Sequence, residues 1–183
     1  MAGDAVRRGF GIAMAALLCL ALPGCMEAEN AAAPETALAS APILKREGVS
    51  LTDATVAVVS VDGAPEGARG DFAQAFAKQL GAHEIAAVES KKAHYLLRVY
   101  LAAAPAEGGA NLEYVLDVYD ARRARLARLS DGMGVKGSGD TWSLMSTATL
   151  ENAAAKSADD LAAFLSNMPE AKPATSPALS YAE

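Results

Sequence analysis

Residues 93–102 read Ala-His-Tyr-Leu-Leu-Arg-Val-Tyr-Leu-Ala, and this stretch decides the fold. Its side chains alternate in two sets, Tyr95, Leu97, Val99 and Leu101 in one and Leu96, Arg98 and Tyr100 in the other. A period of two predicts a β-strand whose faces meet different surroundings. A turn at Pro105–Ala110 follows, and the same alternation returns in Leu112, Tyr114, Leu116 and Val118. The two stretches therefore predict a β-hairpin, with Ala93–Ala102 as its first strand.

Further strands are predicted on both sides of this hairpin. Thr55–Val61 is rich in β-branched residues and apolar on both faces, which indicates a strand that is covered on both sides or central in its sheet. Glu84–Glu89 is a short candidate strand, and Leu126–Val135 is a longer one after a turn at Tyr119–Arg123. Because the connections between successive strands are short, we expect an antiparallel meander.

Two helices are predicted from apolar stripes. In Asp71–Leu80, phenylalanine and leucine recur at four-residue steps, Asp71 suits the helix start, and Gly81 suits the position after its end. The second helix follows Trp142 and stops before Pro169, with a stripe made of Leu150, Ala154, Ala158, Leu161 and Leu165. Ser157 and Asp160 resemble a capping box that could interrupt this helix, but the stripe keeps its phase and favours a continuous one.

These elements predict a single α+β domain over residues 49–168, with an antiparallel-rich sheet of about five strands and two helices packed on one face. The Ala-, Pro- and Glu-rich residues 25–48 are interpreted as a flexible tether, with a helix around Ala31–Ala41 as the alternative. Residues 169–183 are interpreted as a disordered tail.

The first 24 residues have the pattern of an export signal: Arg7 and Arg8, an apolar run Phe10–Leu22, and small residues at its end. The tetrapeptide Leu22-Pro23-Gly24-Cys25 resembles the lipobox of bacterial lipoproteins. That resemblance implies cleavage between Gly24 and Cys25 and acyl chains on Cys25, which would attach the chain to a membrane. Three alternatives stay open: a signal cut elsewhere, an uncleaved anchor, and twin-arginine export in place of the general route.

Charge and cysteine content exclude several function classes. The net charge of −6 disfavours nucleic acid, whose phosphates need a basic surface. The two cysteines are Cys19, in the leader, and Cys25, so the folded part has no thiol for disulfides, nucleophilic catalysis or a thiolate metal site. Met26 follows Cys25 in place of an acidic residue, which in the enterobacterial pattern favours the outer membrane over the inner one.

Motifs for catalysis are weak. Gly132–Gly137 matches the dinucleotide fingerprint as text, but the site needs a parallel βαβ unit that is not predicted here. His83 and His94 have no carboxylate at metal-ligand spacing, and Ser138 lacks the strand–elbow–helix order of a hydrolase nucleophile. Asp117 and Asp120 are expected to be solvated. We therefore expect no catalytic residues, no metal, no cofactor and no enzymatic activity.

The densest run of charge consists of Arg122, Arg123, Arg125 and Arg128. It is interpreted as a charged hairpin face that discourages edge-to-edge pairing, or as a patch that docks a partner. Trp142 and the tyrosines of the hairpin strands could form an aromatic surface, but packing in the core or on the sheet is the favoured interpretation.

The element order β-α-β-β-β-β-α, with its Tyr-Leu-Leu-Arg-Val-Tyr strand at 95–100 and Val-Tyr-Asp-Ala-Arg-Arg hairpin at 118–123, is similar in plan to small α/β domains of envelope lipoproteins. Examples are the penicillin-binding-protein activator lipoproteins, the first domain of the Tol-system propeller protein, and uncharacterised alphaproteobacterial lipoproteins. This similarity carries over no functional residue.

The sequence as a whole predicts an envelope lipoprotein that faces the periplasm and acts as a non-enzymatic binding or accessory module for another envelope protein or polymer. The alternative is a periplasmic carrier that holds a small apolar molecule between sheet and helices. An enzyme with dispersed carboxylates is a third hypothesis.

Overall fold

A computed structural model describes residues 43–174 of the chain. Its elements are β1 (Val49–Ser50), β2 (Thr55–Asp62), α1 (Glu66–Ala82), β3 (Ala86–Ala87), β4 (Tyr95–Ala106), β5 (Gly109–Asp120), β6 (Arg125–Lys136), a 3₁₀ turn (Trp142–Leu144), α2 (Thr147–Leu165) and β7 (Lys172–Pro173). The mixed α+β class that the sequence predicts is confirmed.

The main sheet has five strands in the order β3-β2-β4-β5-β6. β4, β5 and β6 are antiparallel hairpin neighbours, as the alternating stretches predict. The predicted antiparallel-rich sheet of about five strands is confirmed, but the expected meander does not extend to β2, which pairs in parallel with both β3 and β4. A parallel pair needs a crossover connection, and α1 supplies it. β3 and β4 are close in sequence but do not pair with each other, because β2 lies between them.

The first helix is longer than its apolar stripe predicts. α1 begins at Glu66, after Pro65, five residues before the predicted start at Asp71. Its first turns contain glycine and charge and no apolar stripe, so the periodicity does not mark them. Gly81 lies inside the helix, and the left-handed residue after it is Glu84, with φ of 60°.

α2 is continuous, as the phase of its stripe predicts. Ser146 caps its start by accepting a hydrogen bond from the backbone N–H of Thr149. The Ser157 hydroxyl donates to the carbonyl of Ala153 at 2.8 Å inside the helix, so the capping-box alternative is wrong. The two helices lie side by side in the same direction, since Asp71 contacts Thr147 and His83 contacts Asp159 at the same sequence offset of 76 residues.

The hydrophobic core lies between the helices and one face of the sheet. Each predicted stripe faces it, because Phe72, Phe76 and Leu80 of α1 are fully buried, as are Leu161 and Leu165 of α2. The sheet contributes the alternating set of the hairpin, namely Tyr95, Leu97, Val99, Leu101, Leu112, Tyr114, Leu116 and Val118. Burying apolar side chains at roughly 1.5–3 kcal/mol each makes this layer the main source of stability.

Of the two alternatives predicted for Thr55–Val61, a position inside the sheet is confirmed, because β2 lies between β3 and β4, whereas coverage on both faces is wrong. Val58 and Val59 are 38% and 46% exposed within the described residues, and a register shift between Val58 and Ser60 marks a bulge opposite β4. A run of β-branched residues cannot by itself distinguish a strand buried on both faces from one with a single apolar surface left open.

The ends of the domain are more ordered than the composition predicts. β1 pairs with β7 through Val49–Pro173 and Ser50–Lys172, and the Arg46 backbone N–H donates to the Ser166 hydroxyl at 2.8 Å. The predicted tail from residue 169 and the predicted tether up to residue 48 therefore each overlap the folded region. The expectations for residues 1–42, including Gly24 and Cys25, and for residues 175–183 lie outside the described residues.

Within residues 43–174, neither helix combines the length and the apolar character that a crossing of the membrane requires.

Gly63 gives a test of the connection from β2 to α1. Its φ is +85°, and a Cβ there would lie 2.3 Å from the Leu101 carbonyl oxygen of β4. We expect Gly63→Ala to lower the free energy of unfolding by about 1–2 kcal/mol or more, through left-handed strain and the clash. Gly70→Ala is the matched control, because Gly70 lies in α1 with open space around it and should gain about 0.5–1 kcal/mol. Urea unfolding of both variants measures the difference, and equal effects would contradict this account.

Candidate binding surface on the open sheet face

The face of the sheet opposite the helices, which we call the open face, carries a mixed set of side chains. Residues directly opposite each other on neighbouring strands share a face. One such row is Ser60, Arg98, Asp117 and Arg128, and the row next to it contains Leu96, Tyr119 and Arg125. The sequence therefore places basic, aromatic and aliphatic groups together at one end of this face.

Asp117 is the centre of this arrangement. Although it faces away from the core, it is only 1% exposed. Its two carboxylate oxygens accept hydrogen bonds from Nε and Nη2 of Arg128, both at 2.8 Å, and Arg125 lies 3.8 Å away. This two-point geometry is the strong form of an arginine–carboxylate pair.

The electrostatics of the pair follow from this contact. The hydrogen bonds from Arg128 hold the pKa of the Asp117 carboxyl below its usual range, and they outweigh the opposing effect of burial. The same contact raises the pKa of Arg128. Asp117, which was expected from its place at a strand end to be solvated, is therefore a buried carboxylate paired with Arg128.

A cavity of about 320 Å³ lies beside this pair on the open face. It is lined by Val59, Ser90, Leu96, Arg98, Tyr119 and Arg123. β2 supplies Val59, β4 supplies Leu96 and Arg98, and the β5–β6 hairpin supplies Tyr119 and Arg123. The cavity thus combines an apolar wall with two guanidinium groups, and none of its lining residues is acidic.

The four arginines of the predicted patch have separate surroundings. Arg128 and Arg125 contact Asp117, and Arg123 lines the cavity. Arg122 belongs to the hairpin turn, where its backbone N–H donates to the Asp120 carboxylate at 2.8 Å. The sequence reasoning missed Arg98, Leu96 and Val59. The only sequence signal for Arg98 is its outward position in an otherwise apolar strand.

Other candidates from the sequence are placed in structural roles. Gly132 and Gly134 lie within antiparallel β6, which is not the context of a dinucleotide site. His83 contacts Asp159 of α2 at 2.8 Å, a long-range link, and His94 Nδ1 lies 3.0 Å from the carbonyl oxygen of Asp53. Residues 43–174 contain no group of three or more histidine, cysteine or acidic side chains placed to hold a metal ion.

A second, shallower cavity of about 530 Å³ lies near β7. Its lining residues are Thr52, Asp53, Thr55, His94, Pro169, Glu170 and Lys172. Asp53 forms an ion pair with Lys172, and Glu170 accepts a hydrogen bond from the Tyr95 hydroxyl. Burial of Tyr95, reinforced by Glu170, raises the pKa of its phenol. The charged groups that line this second cavity are therefore largely paired within the domain. The open face, whose arginines are less engaged, is the better candidate for binding.

Comparisons with known proteins give likenesses only at the level of structure. No protein-family model matches the sequence, and no curated protein is significantly similar to it. A PelC dodecamer from Paraburkholderia phytofirmans is 12% identical, with a TM-score of 0.46, over 66% of this chain and 92% of that chain.

The lipoprotein GNA1162 from Neisseria meningitidis is 12% identical, with a TM-score of 0.37, over 57% of this chain and 98% of that one. TolB from Acinetobacter baumannii is also 12% identical, with a TM-score of 0.35, over 58% and 27%. The structures similar to this chain thus include a lipoprotein. At these values the likenesses assign neither a family nor a function.

The Asp117–Arg128 pair predicts a specific loss of stability. Arg128→Met leaves a buried carboxylate without its two hydrogen bonds, which we expect to cost about 1–3 kcal/mol of unfolding free energy, moderated because half of the Arg128 side chain is exposed. Arg122→Met is the control, since the Arg122 side chain forms no hydrogen bond with described residues. Urea unfolding with an unchanged m-value is the measurement. If both variants lost the same small amount, Asp117 would not depend on Arg128.

The pH dependence of stability follows from the same carboxylate. Because the folded-state pKa of Asp117 is lower than the unfolded value of about 3.9, its contribution is present above that value and is lost as the pH falls through the folded-state pKa. We expect Asp117→Asn to be less stable than wild type at pH 7, and the gap to narrow as the pH falls below about 4. Urea unfolding across this range measures the gap, and a constant gap would refute the assignment.

Proposed function

We propose that this protein is an exported lipoprotein, held in the cell envelope by acyl chains on Cys25, whose domain binds another envelope component through the open face. In this proposal the domain has no enzymatic activity and no cofactor, and it faces the periplasm. Met26 after Cys25 favours the outer membrane as the site of attachment. The partner is an envelope protein or polymer, reached through the surface around the cavity.

The observation that carries the binding role is a sheet face that no helix or strand of residues 43–174 covers. The opposite face is closed by two helices, whereas this face keeps the partly exposed Val59 and a cavity that two arginines line. Exposed apolar surface combined with arginine and tyrosine is typical of recognition sites, since both residue types are enriched where proteins bind. An acidic chain with a local basic patch is suited to an anionic group on its partner.

The carrier alternative gains no support from the core. The side chains between sheet and helices, such as Phe76, Leu97 and Leu161, have no exposed surface and pack directly against one another. An apolar molecule held there would have to displace them, and removing core packing is costly. Both cavities described above lie on the surface, which favours a module that binds through its surface over a carrier that holds an apolar molecule between sheet and helices.

The anchor is tested by metabolic labelling with palmitate. Wild type should incorporate label and fractionate with membranes, whereas Cys25→Ser should lose the label because its side chain cannot form the thioether. Cys19→Ser is the matched control, since the leader is expected to be removed, and it should keep the label. An unlabelled wild type, or label that persists in Cys25→Ser, would contradict the anchor.

The partner surface is tested by photo-crosslinking in intact cells. A photoreactive residue at Tyr100, on the open face beside the cavity, should give a discrete adduct with an envelope component. The same residue at Lys78, exposed on α1 at the opposite side of the sheet, serves as control. Adducts from Lys78 alone would move the binding surface to the helices.

A further inference from the structure

The cavity on the open face has the size and composition of a small ligand site. Its volume of about 320 Å³ is at the lower end of the roughly 300–1,000 Å³ that is typical of ligand pockets. Such a volume limits an occupant to a single ring or a short chain with one polar group.

Two arginines, Arg98 and Arg123, line this cavity. Arg98 lies directly opposite Asp117 on the neighbouring strand, but both Asp117 oxygens accept hydrogen bonds from Arg128. Among the described residues, neither Arg98 nor Arg123 forms a side-chain hydrogen bond or an ion pair. The buried Asp117–Arg128 pair therefore satisfies the local carboxylate and leaves the charge of Arg98 and Arg123 for an external anion.

The β5–β6 turn fixes the position of Arg123. Its backbone N–H donates to the Asp120 carbonyl at 2.9 Å, and the Asp120 carboxylate accepts from the backbone N–H groups of Arg122 and Ala124, both at 2.8 Å. Arg123 adopts φ of +65°, a left-handed conformation that glycine would adopt at lower cost. Asp120 is thus occupied by the turn, and the turn holds an arginine where a small residue would suffice structurally.

The rest of the lining is suited to an apolar group. Leu96 and Tyr119 are opposite each other across β4 and β5, and Val59 stands 46% exposed at the bulge of β2. An anion without an apolar part would leave these three side chains in contact with water. An apolar molecule without an anionic group would leave both guanidinium groups without a hydrogen-bond acceptor from the ligand. The composition of the cavity therefore fits a ligand that has both an anionic and an apolar part.

We propose that this cavity binds a small, water-soluble oxyanion attached to an apolar group, with Arg98 and Arg123 holding the oxyanion and Leu96, Tyr119 and Val59 contacting the apolar part. Guanidinium groups match phosphate and carboxylate oxygens in two-point hydrogen bonds, which gives geometric selectivity. A bilayer surface is the less suitable source of this chemistry, because the chain carries a net charge of −6.

This inference rests on the proposed function only in using the open face as the binding surface. It is tested with purified protein, so it can fail while the lipid anchor and the crosslink stand, and the reverse also holds.

The probe is phenyl phosphate, compared with inorganic phosphate and phenol, titrated into the full isotopically labelled chain in mild detergent. The readout is the NMR signal of the arginine Nε–H groups and of the backbone amides of Leu96 and Tyr119. We expect saturable shifts of Arg98 and Arg123 with phenyl phosphate and at least about tenfold weaker binding of phenol and of inorganic phosphate, which corresponds to about 1.4 kcal/mol.

Arg98→Gln and Arg123→Gln should each weaken phenyl phosphate binding by about tenfold or more, because each removes one charged donor pair. Lys78→Gln and Arg122→Gln, which remove the same charge from α1 and from the same turn, should leave the affinity within about twofold. Equal losses in all four variants would show a diffuse charge effect and overturn the proposal. So would equal binding of inorganic phosphate, or binding only to vesicles that contain phosphatidylglycerol.

Discussion

Neighbouring residues of a β-strand point to opposite faces, and the hairpin of β4 and β5 uses this constraint over twelve residues of each strand. Burying Tyr95, Leu97, Val99 and their partners beneath two helices forces Leu96, Arg98 and Tyr119 to the other side. The composition of the open face is therefore tied to the register that builds the core. A shift of one residue would exchange the two faces, and both the core and the cavity would be lost together.

The buried carboxylate of Asp117 links the stability of the sheet to the charge of the cavity beside it. Its burial would be unfavourable for an isolated carboxylate, and Arg128 from the adjacent strand offsets that cost by two hydrogen bonds. The pairing also leaves Arg98 without a carboxylate partner among residues 43–174. One buried ion pair thus stabilises the β5–β6 hairpin and sets the charge of the neighbouring cavity.

The sequence predicted the parts of the fold that follow from local periodicity. The alternation in β4 and β5 and the stripes containing Phe76 and Leu161 identified the hairpin, the helices and the face that they bury. Parallel pairing of β2 with β4 was not predictable in this way, because it depends on a crossover whose start at Glu66 has no apolar repeat. The β1–β7 pairing escaped prediction for a similar reason, since two residues on each strand carry no pattern.

The candidate site was predicted only in part. The arginine run drew attention to the hairpin of β5 and β6, but charge density alone could not distinguish Arg128, which has a buried partner, from Arg123, which has none in the part of the chain that the structure describes. Arg98 and Val59 come from other strands, and their proximity depends on the sheet order and on the bulge in β2. Sites assembled across strands become visible only when the register is known. The lipobox-like motif at Leu22–Cys25 needs no register, because its residues are contiguous in the sequence, and the anchor that it indicates stays a prediction.

The small sheet of β1 and β7 has a mechanical consequence. Val49 and Pro173 are paired neighbours, so β1 and β7 hold the two ends of the domain together. A force applied from the N-terminal side would act on the β1–β7 pairing and on the Arg46–Ser166 hydrogen bond before it reached the five-stranded sheet. Tension would therefore open the weakest pairing first, while the large sheet and the arginine-lined cavity kept their shape.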